Sequence, residues 1–237
     1  MRPLPSRADG GPLRIGHRGA AALAPDNSLA GIELALDAGI DGVEIDVVAG
    51  SGRLLLAHSF SELGGTSPEL DDALALVAAR SGDGFLLDLD VKTAGAEDAL
   101  VVALRRHGLV ERTLVSSFHP EVLRACRMLE PVLRLGISYP DDRRGIGRRL
   151  PEPVIRGGLL ALRAALPARI GRLAATSGAG AAMLHHLVLS RATVRRCRRL
   201  GLAVFAWTVN DTDALRRVVD LGVDGVIGDD PELLRTA

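Results

Sequence analysis

Short apolar runs alternate with stretches of helical spacing almost from end to end of this 237-residue chain. The runs at 13–17, 42–48, 85–91, 113–118, 133–138, 182–188, 203–209 and 225–228 read as strands. Between them, apolar residues recur every three or four positions at 28–38, 69–79, 96–107, 120–129, 150–166, 191–200 and 211–221, which reads as amphipathic helices. Strands that alternate with helices pair in parallel, because each crossover must return to the same sheet end. About eight such units in this length predict an α/β chain folded as a (β/α)8 TIM barrel, a single domain over 12–237 behind a flexible segment 1–11. An open doubly wound sheet is the competing arrangement. No G-x-G-x-x-G follows the first strand, which argues against a dinucleotide site.

Two near-identical strings, Gly39-Ile40-Asp41-Gly42 and Gly222-Val223-Asp224-Gly225, each lie between a helix and a strand. Both read as turns whose first glycine ends the helix. Gly50-Ser51-Gly52 is a further turn, and the apolar run after it predicts a hairpin-like excursion that delivers His58 to the same barrel end as the second strand.

Composition narrows the class. Twenty-nine basic and 29 acidic side chains balance, so no global charge points to nucleic acid or to a membrane surface. Aromatics make up 3%, too few for recognition by base stacking. The polar start of the chain has no apolar leader, and no run reaches the roughly 20 residues needed to span a bilayer. Cys126 and Cys197 read as buried, reduced thiols. The expected setting is cytoplasmic.

The chemistry concentrates where strands end. His17, Arg18 and Gly19 close the first strand. Glu44 and Asp46 lie two apart on the second, so they share a face, and Asp88, Asp90 and Lys92 repeat the spacing on the next. Four carboxylates and one ammonium should therefore converge at one end of the barrel. Carboxylates this close raise one another's pKa unless a cation sits among them, and an all-oxygen set favours Mg²⁺ or Ca²⁺. The competing reading is an ion pair between Lys92 and one aspartate. Arg18 offers a planar fork suited to a phosphate, and His17 and His58 can exchange protons near neutral pH. Together these groups suggest phosphoryl chemistry, with one imidazole as acid and the other as base. Of the pair His185-His186, one should face the barrel axis; His107 and His119 read as structural.

Beyond these side chains, the strings Ile15-Gly16-His17-Arg18-Gly19-Ala20, Pro25-Asp26-Asn27-Ser28, Gly42-Val43-Glu44-Ile45-Asp46-Val47 and His58 occur in an order that resembles the glycerophosphodiester phosphodiesterases. The likeness continues through Val115-Ser116-Ser117-Phe118 and Trp207-Thr208-Val209-Asn210, and closes on Gly222 to Asp229 and Pro231. It implies a (β/α)8 barrel that hydrolyses glycerophosphodiesters to an alcohol and sn-glycerol 3-phosphate. It also implies His17 and His58 as the catalytic pair, Glu44, Asp46 and Asp90 as metal ligands, and Arg18 and Lys92 as phosphate contacts. Asn27 would lie near the site and Trp207 would line the pocket. The chain departs from the family where Asp90 replaces a usual Glu, where Ser59 replaces the usual Asp after the second histidine, and where Gly228 replaces a usual Thr. The insertion that commonly follows the second histidine is nearly absent, which predicts a more open pocket.

Two further functions stay open at this point. One is a lysophospholipid phosphodiesterase of the lysophospholipase D type. The other is a catalytically lapsed barrel that binds a phosphate or a lipid. The shortened loop after His58 and residues 141–172, which carry eight arginines against three acids and could touch anionic lipid peripherally, motivate the first, and Ser59 and Asp90 motivate the second.

Overall fold

A computed structural model describes residues 4–5, 7–50, 52–64, 67–140 and 151–237. Eight parallel strands form its centre: β1 (Leu13–Gly16), β2 (Gly42–Gly50), β4 (Leu86–Val91), β5 (Thr113–Ser117), β6 (Arg134–Tyr139), β7 (Ala181–His185), β8 (Ala203–Trp207) and β9 (Gly225–Gly228). β1 pairs with both β9 and β2, which closes the sheet into a barrel and rules out the open arrangement. The expected hairpin is present: β3 (Arg53–Leu56) returns antiparallel along β2, with Gly50 opposite Arg53. Helices α1 (Leu29–Asp37), α2 (Leu70–Arg80), α3 (Glu97–Arg106), α4 (Pro120–Leu129), α5 (Glu152–Ser177), α6 (Arg191–Arg199), α7 (Thr212–Leu221) and α8 (Pro231–Leu234) surround it. No helix among the described residues is long and apolar enough to cross a membrane.

Period-two alternation divides each strand between two cores. Outward side chains such as Val43, Ile45, Val47, Leu87 and Leu89 pack under the helices. Inward ones at the N-terminal end, Leu13, Ile15, Leu86, Leu114, Met183, Phe205 and Ile227 among them, plug the barrel with a small apolar cluster. Two residues further along the same inward rows, the chain turns polar. Ile15 is followed by His17, Leu86 by Asp88 and Asp90, Phe205 by Trp207, and Ile227 by Asp229. The site therefore rests on an apolar floor, at the strand ends where barrels of this kind hold their chemistry.

The repeated turn strings have one physical explanation. Gly39 (φ 66°) and Gly222 (φ 74°) take the left-handed conformation that stops α1 and α7. The aspartate then clamps a neighbouring strand: Asp41 accepts from the Arg14 backbone N–H at 2.9 Å, and Asp224 from that of Val204 at 2.7 Å. The last glycine makes room, since a Cβ on Gly42 would overlap the Leu86 backbone and one on Gly225 the Phe205 ring.

Two expected boundaries move. The helix expected over 150–166 is α5, which runs on through Pro167 to Ser177. An internal proline costs about 3 kcal/mol, but fully burying Leu166 and Ile170 against the barrel gains about 2 kcal/mol each and carries the helix past it. The strand expected over 182–188 stops at His185, because His186–Val188 coil into a 3-10 turn. The first part of the basic segment, 141–150, lies outside the described residues.

Candidate active site

The loop after β1 is shaped around the carboxylates of β2. Arg18 (φ 50°) and Asn27 (φ 56°) both adopt left-handed backbone, a strained choice for side-chain-bearing residues. The strain is held by specific bonds. The Arg18 N–H donates to Glu44 Oε2 at 2.8 Å, and the Asn27 N–H to the Arg18 carbonyl at 3.0 Å. Asn27 also grips Asp46 from both sides: its Nδ2 donates to Asp46 Oδ2 at 3.0 Å, and the Asp46 N–H donates to its Oδ1 at 2.9 Å.

Ligand oxygens of Glu44, Asp46 and Asp90 lie within 4.8 Å of one another. Arg18 Nε stands 3.0 Å from Asp46 Oδ2, and Arg18 Nη1 donates to Asp26 at 2.6 Å. Lys92 Nζ is 2.6 Å from Asp46 Oδ1 and also pairs with Asp90 Oδ2. The ammonium therefore bridges two aspartates, more than the single ion pair that was the competing reading of the sequence. The fourth carboxylate departs from expectation. Asp88, opposite Glu44 in the register, lines the same cavity but accepts from Ser116 Oγ at 2.7 Å and stands outside the three-acid cluster.

The charges are unequal in consequence. Burial first, then the Asp46 charge, pushes the Glu44 carboxyl well above the ordinary carboxylate range. Burial followed by the Glu44 charge does the same to Asp88. Burial would also raise Asp46, but Lys92 and Arg18 outweigh it and hold that carboxyl well below its usual value. Lys92 is raised, since Asp90, Asp46 and Glu44 overcome its own desolvation.

His17 and His58 enter from different sides. His17 Nδ1 lies 2.6 Å from Asp229 Oδ1, and its Nε2 lies 3.9 Å from Glu44 Oε2. Asp229 is locked in turn by Asn210, whose Nδ2 donates to Oδ2 and whose Oδ1 accepts from the Asp229 N–H at 3.0 Å. Burial raises Asp229, but the hydrogen bond and charge of His17 more than compensate, and its pKa lies below the ordinary one. His58 follows β3. Its backbone N–H donates to Glu62 Oε2 at 3.2 Å, and its Nδ1 stands 3.7 Å from Glu62 Oε1. Burial lowers the His58 pKa.

All these side chains except Asp26, Asn27, Asn210, Glu62 and Asp229 line one cavity of ≈ 670 Å³, walled also by Phe118, Met183 and Trp207. His119 lines it too, although the sequence read it as structural. His107 instead binds Asp71 at 2.9 Å. His185 turns its ring edge toward Trp207, with centroids 5.1 Å apart, and His186 Nδ1 accepts from Arg217 at 2.9 Å. Neither lines the cavity. Of six buried polar side-chain atoms that make no hydrogen bond among the described residues, five belong to cavity residues: Arg18 Nε, which has only its ion pair with Asp46, His58 Nδ1, Asp88 Oδ2, Asp90 Oδ1 and Trp207 Nε1. Native interiors leave few such atoms, so their concentration here marks a place for a ligand. Asp90 Oδ1 in particular completes an all-oxygen set that fits a hard divalent cation.

Sequence reasoning assigned no role to Asp229, Asn210 or Glu62. A signal existed for Asp229, which continues the inward row of Ile227 beyond the end of β9. Glu62 reaches His58 only through the 3-10 turn Phe60–Glu62, which carries no comparable pattern.

The family model described as "Glycerophosphoryl diester phosphodiesterase family" matches residues 17–67 and 87–233. A glycerophosphodiester phosphodiesterase of Caldanaerobacter subterraneus is 27% identical over 94% of this chain and 96% of its own length. One of Bacillus altitudinis is 26% identical over 91% and 94%. Among solved structures, a phosphodiesterase of Oleispira antarctica in complex with the product sn-glycerol-3-phosphate superposes with a TM-score of 0.69 at 22% identity, covering 95% of this chain and 96% of its own. A glycerophosphodiester phosphodiesterase of Parabacteroides distasonis reaches a TM-score of 0.73 at 21% identity, over 95% and 96%.

Proposed function

The chain belongs to the glycerophosphoryl diester phosphodiesterase family, and we propose that it hydrolyses glycerophosphodiesters to an alcohol and sn-glycerol 3-phosphate, with a divalent cation and with His17 and His58 as its proton-transfer pair. One observation carries this reading. Two imidazoles, two cations and a three-carboxylate cluster face one cavity in which buried polar atoms without hydrogen bonds concentrate.

Glu44, Asp46 and Asp90 would hold the cation, which when bound polarises the phosphate oxygens. Arg18 and Lys92 line the same wall and neutralise charge that grows on those oxygens as the phosphorus is attacked. In the step itself a water oxygen bonds to phosphorus and the bond to the leaving alkoxide breaks. One imidazole takes the proton of the water and the other delivers a proton to the alkoxide, so the count balances. Asp229 fixes the orientation of His17 by holding Nδ1, which leaves Nε2 turned toward Glu44 and the cavity. Asn27 holds Asp46 in place while contributing no charge of its own.

The test is direct. Purified protein is incubated with glycerophosphocholine and Mg²⁺, Ca²⁺ or Mn²⁺, and glycerol 3-phosphate is measured with and without EDTA. Cation-dependent release that collapses in His17→Ala supports the reading. Full activity in that variant, or in excess EDTA, overturns it.

A lysophospholipid substrate is the second reading. Phe60 is 59% exposed and yet lines the cavity, which offers an apolar landing for an acyl chain at the mouth. Turnover of glycerophosphocholine with none of lysophosphatidylcholine would exclude it.

A further inference from the structure

The chain as a whole is electrically balanced, but its charges are not evenly spread. From Pro153 to Asn210 there is no aspartate or glutamate, while nine arginines occur. That stretch builds α5 and α6, which pack side by side along the barrel wall: Gly171 of α5 faces Leu200 and Arg196 of α6, and Arg163 of α5 shares a surface cleft with Arg191. At the border with α7, Asp213 and Asp220 line that cleft beside Arg216 and Arg217.

The exposed side of α5 is also unusually apolar. A surface helix ordinarily turns a polar face to water. In α5, Leu166, Ile170 and Ala174 are buried against the barrel, yet Val154 is 53% and Leu160 56% exposed on the rest of the helix. Arg156, Arg169 and Arg172 stand exposed among them, and Arg191, Arg195 and Arg199 continue the basic surface on α6.

We infer that the α5–α6 wall docks on the surface of an anionic lipid bilayer. Guanidinium groups match lipid phosphates, and the exposed Val154 and Leu160 enter the acyl boundary between them. A nucleic acid would match the charge alone. Between 153 and 210 the only Phe, Tyr or Trp residues are Phe205 and Trp207, which face the barrel interior and its cavity, and the His185 ring stacks edge-on to Trp207, so α5 and α6 carry no stacking platform for bases. The inference concerns the outer wall and stands apart from the reaction proposed for the cavity.

Vesicle co-sedimentation of the full chain tests it, using phosphatidylcholine vesicles with and without phosphatidylglycerol. The protein should sediment with the anionic vesicles, remain in solution with the neutral ones, and be released by high salt. Reversing Arg156, Arg191, Arg195 and Arg199 to glutamate should weaken partitioning by about 100-fold or more, since each basic residue near such a surface contributes about fivefold. The pair Val154→Ser and Leu160→Ser should weaken it about tenfold without altering charge. Both variants should keep the melting transition and the activity on soluble substrate. Should the fourfold reversal fail to fold, the serine pair and the salt series decide. Equal binding to neutral vesicles, or no binding to anionic ones, overturns the inference. Capture by single-stranded RNA with no binding to vesicles overturns it in favour of a nucleic acid partner.

Discussion

His17 is bound to Asp229 across the seam where the barrel closes, Nδ1 to Oδ1 at 2.6 Å. The two residues are 212 positions apart and meet because β9 pairs with β1 in parallel, Gly228 beside Gly16. The aspartate does not itself line the cavity and meets its wall through His17, so its effect passes through the imidazole. Asp229→Asn keeps the shape but removes the charged acceptor that selects the Nδ1–H tautomer. We expect kcat to fall by about 100-fold, the lower range for misplacing a general acid or base, with KM little changed. A strongly downfield Nδ1 proton in the NMR spectrum should vanish in the same variant. Steady-state kinetics on glycerophosphocholine check the first outcome, and an unchanged kcat would leave Asp229 a purely structural residue.

Glu62 offers His58 a weaker version of the same support, at 3.7 Å and from a half-exposed position. It occupies the neighbourhood that Ser59 cannot serve with a charge. Glu62→Gln should lower kcat by about threefold to tenfold, while His58→Ala should cost about 100-fold or more. If the two variants were equally impaired, Glu62 would be doing more than orienting the ring.

The sequence made the inner rows of the barrel legible because strands alternate with period two. That rule alone brought Glu44 and Asp46 onto one face and set Asp90 and Lys92 beside them, as the register Asp46 opposite Asp90 bears out. What stayed hidden depends on closure and depth. The Asp229 bond needs the last strand to meet the first. The separation of Asp88 from the acid cluster depends on a side-chain bond that no strand pattern reveals, since Ser116, opposite Asp90 in the register, donates to Asp88 instead. The length of α5 was obscured by Pro167, a local stop signal that tertiary burial overrides.

Lys92 is the electrostatic keystone of the cluster, pairing with Asp46 and Asp90 while 13% exposed. Its removal leaves buried carboxylates facing one another. Lys92→Met should destabilise the metal-free protein by about 3–5 kcal/mol, the usual cost of breaking a buried pair, and lower its Tm by roughly 10 °C. A divalent cation should restore part of that loss, since it supplies the missing positive charge, and EDTA should reverse the recovery. Calorimetry with and without Mg²⁺ or Ca²⁺ reads both effects; a Tm indifferent to the lysine would mean that the acids are held apart by other means.

His185 allows the sign of a pH effect to be worked out away from the acid cluster. Burial first, with the neighbouring His186 second, depresses its pKa to about 4, against an ordinary value near 6.5. The folded protein therefore keeps the ring neutral where the unfolded chain takes up a proton. Stability from this group is complete above pH 6.5 and is lost as the pH falls from there toward 4, by about 2–3 kcal/mol in all. Glu44 and Asp88 carry the opposite sign, because a raised carboxyl favours the folded state at low pH and loses that advantage as the pH rises. The comparison must accordingly be made against His185→Gln, which retains a side chain of similar length beside Trp207. Urea midpoints measured between pH 7.5 and 4.5 should converge for the two proteins as the pH drops, with the wild type losing more. Parallel curves would show that the imidazole is not held neutral in the folded state.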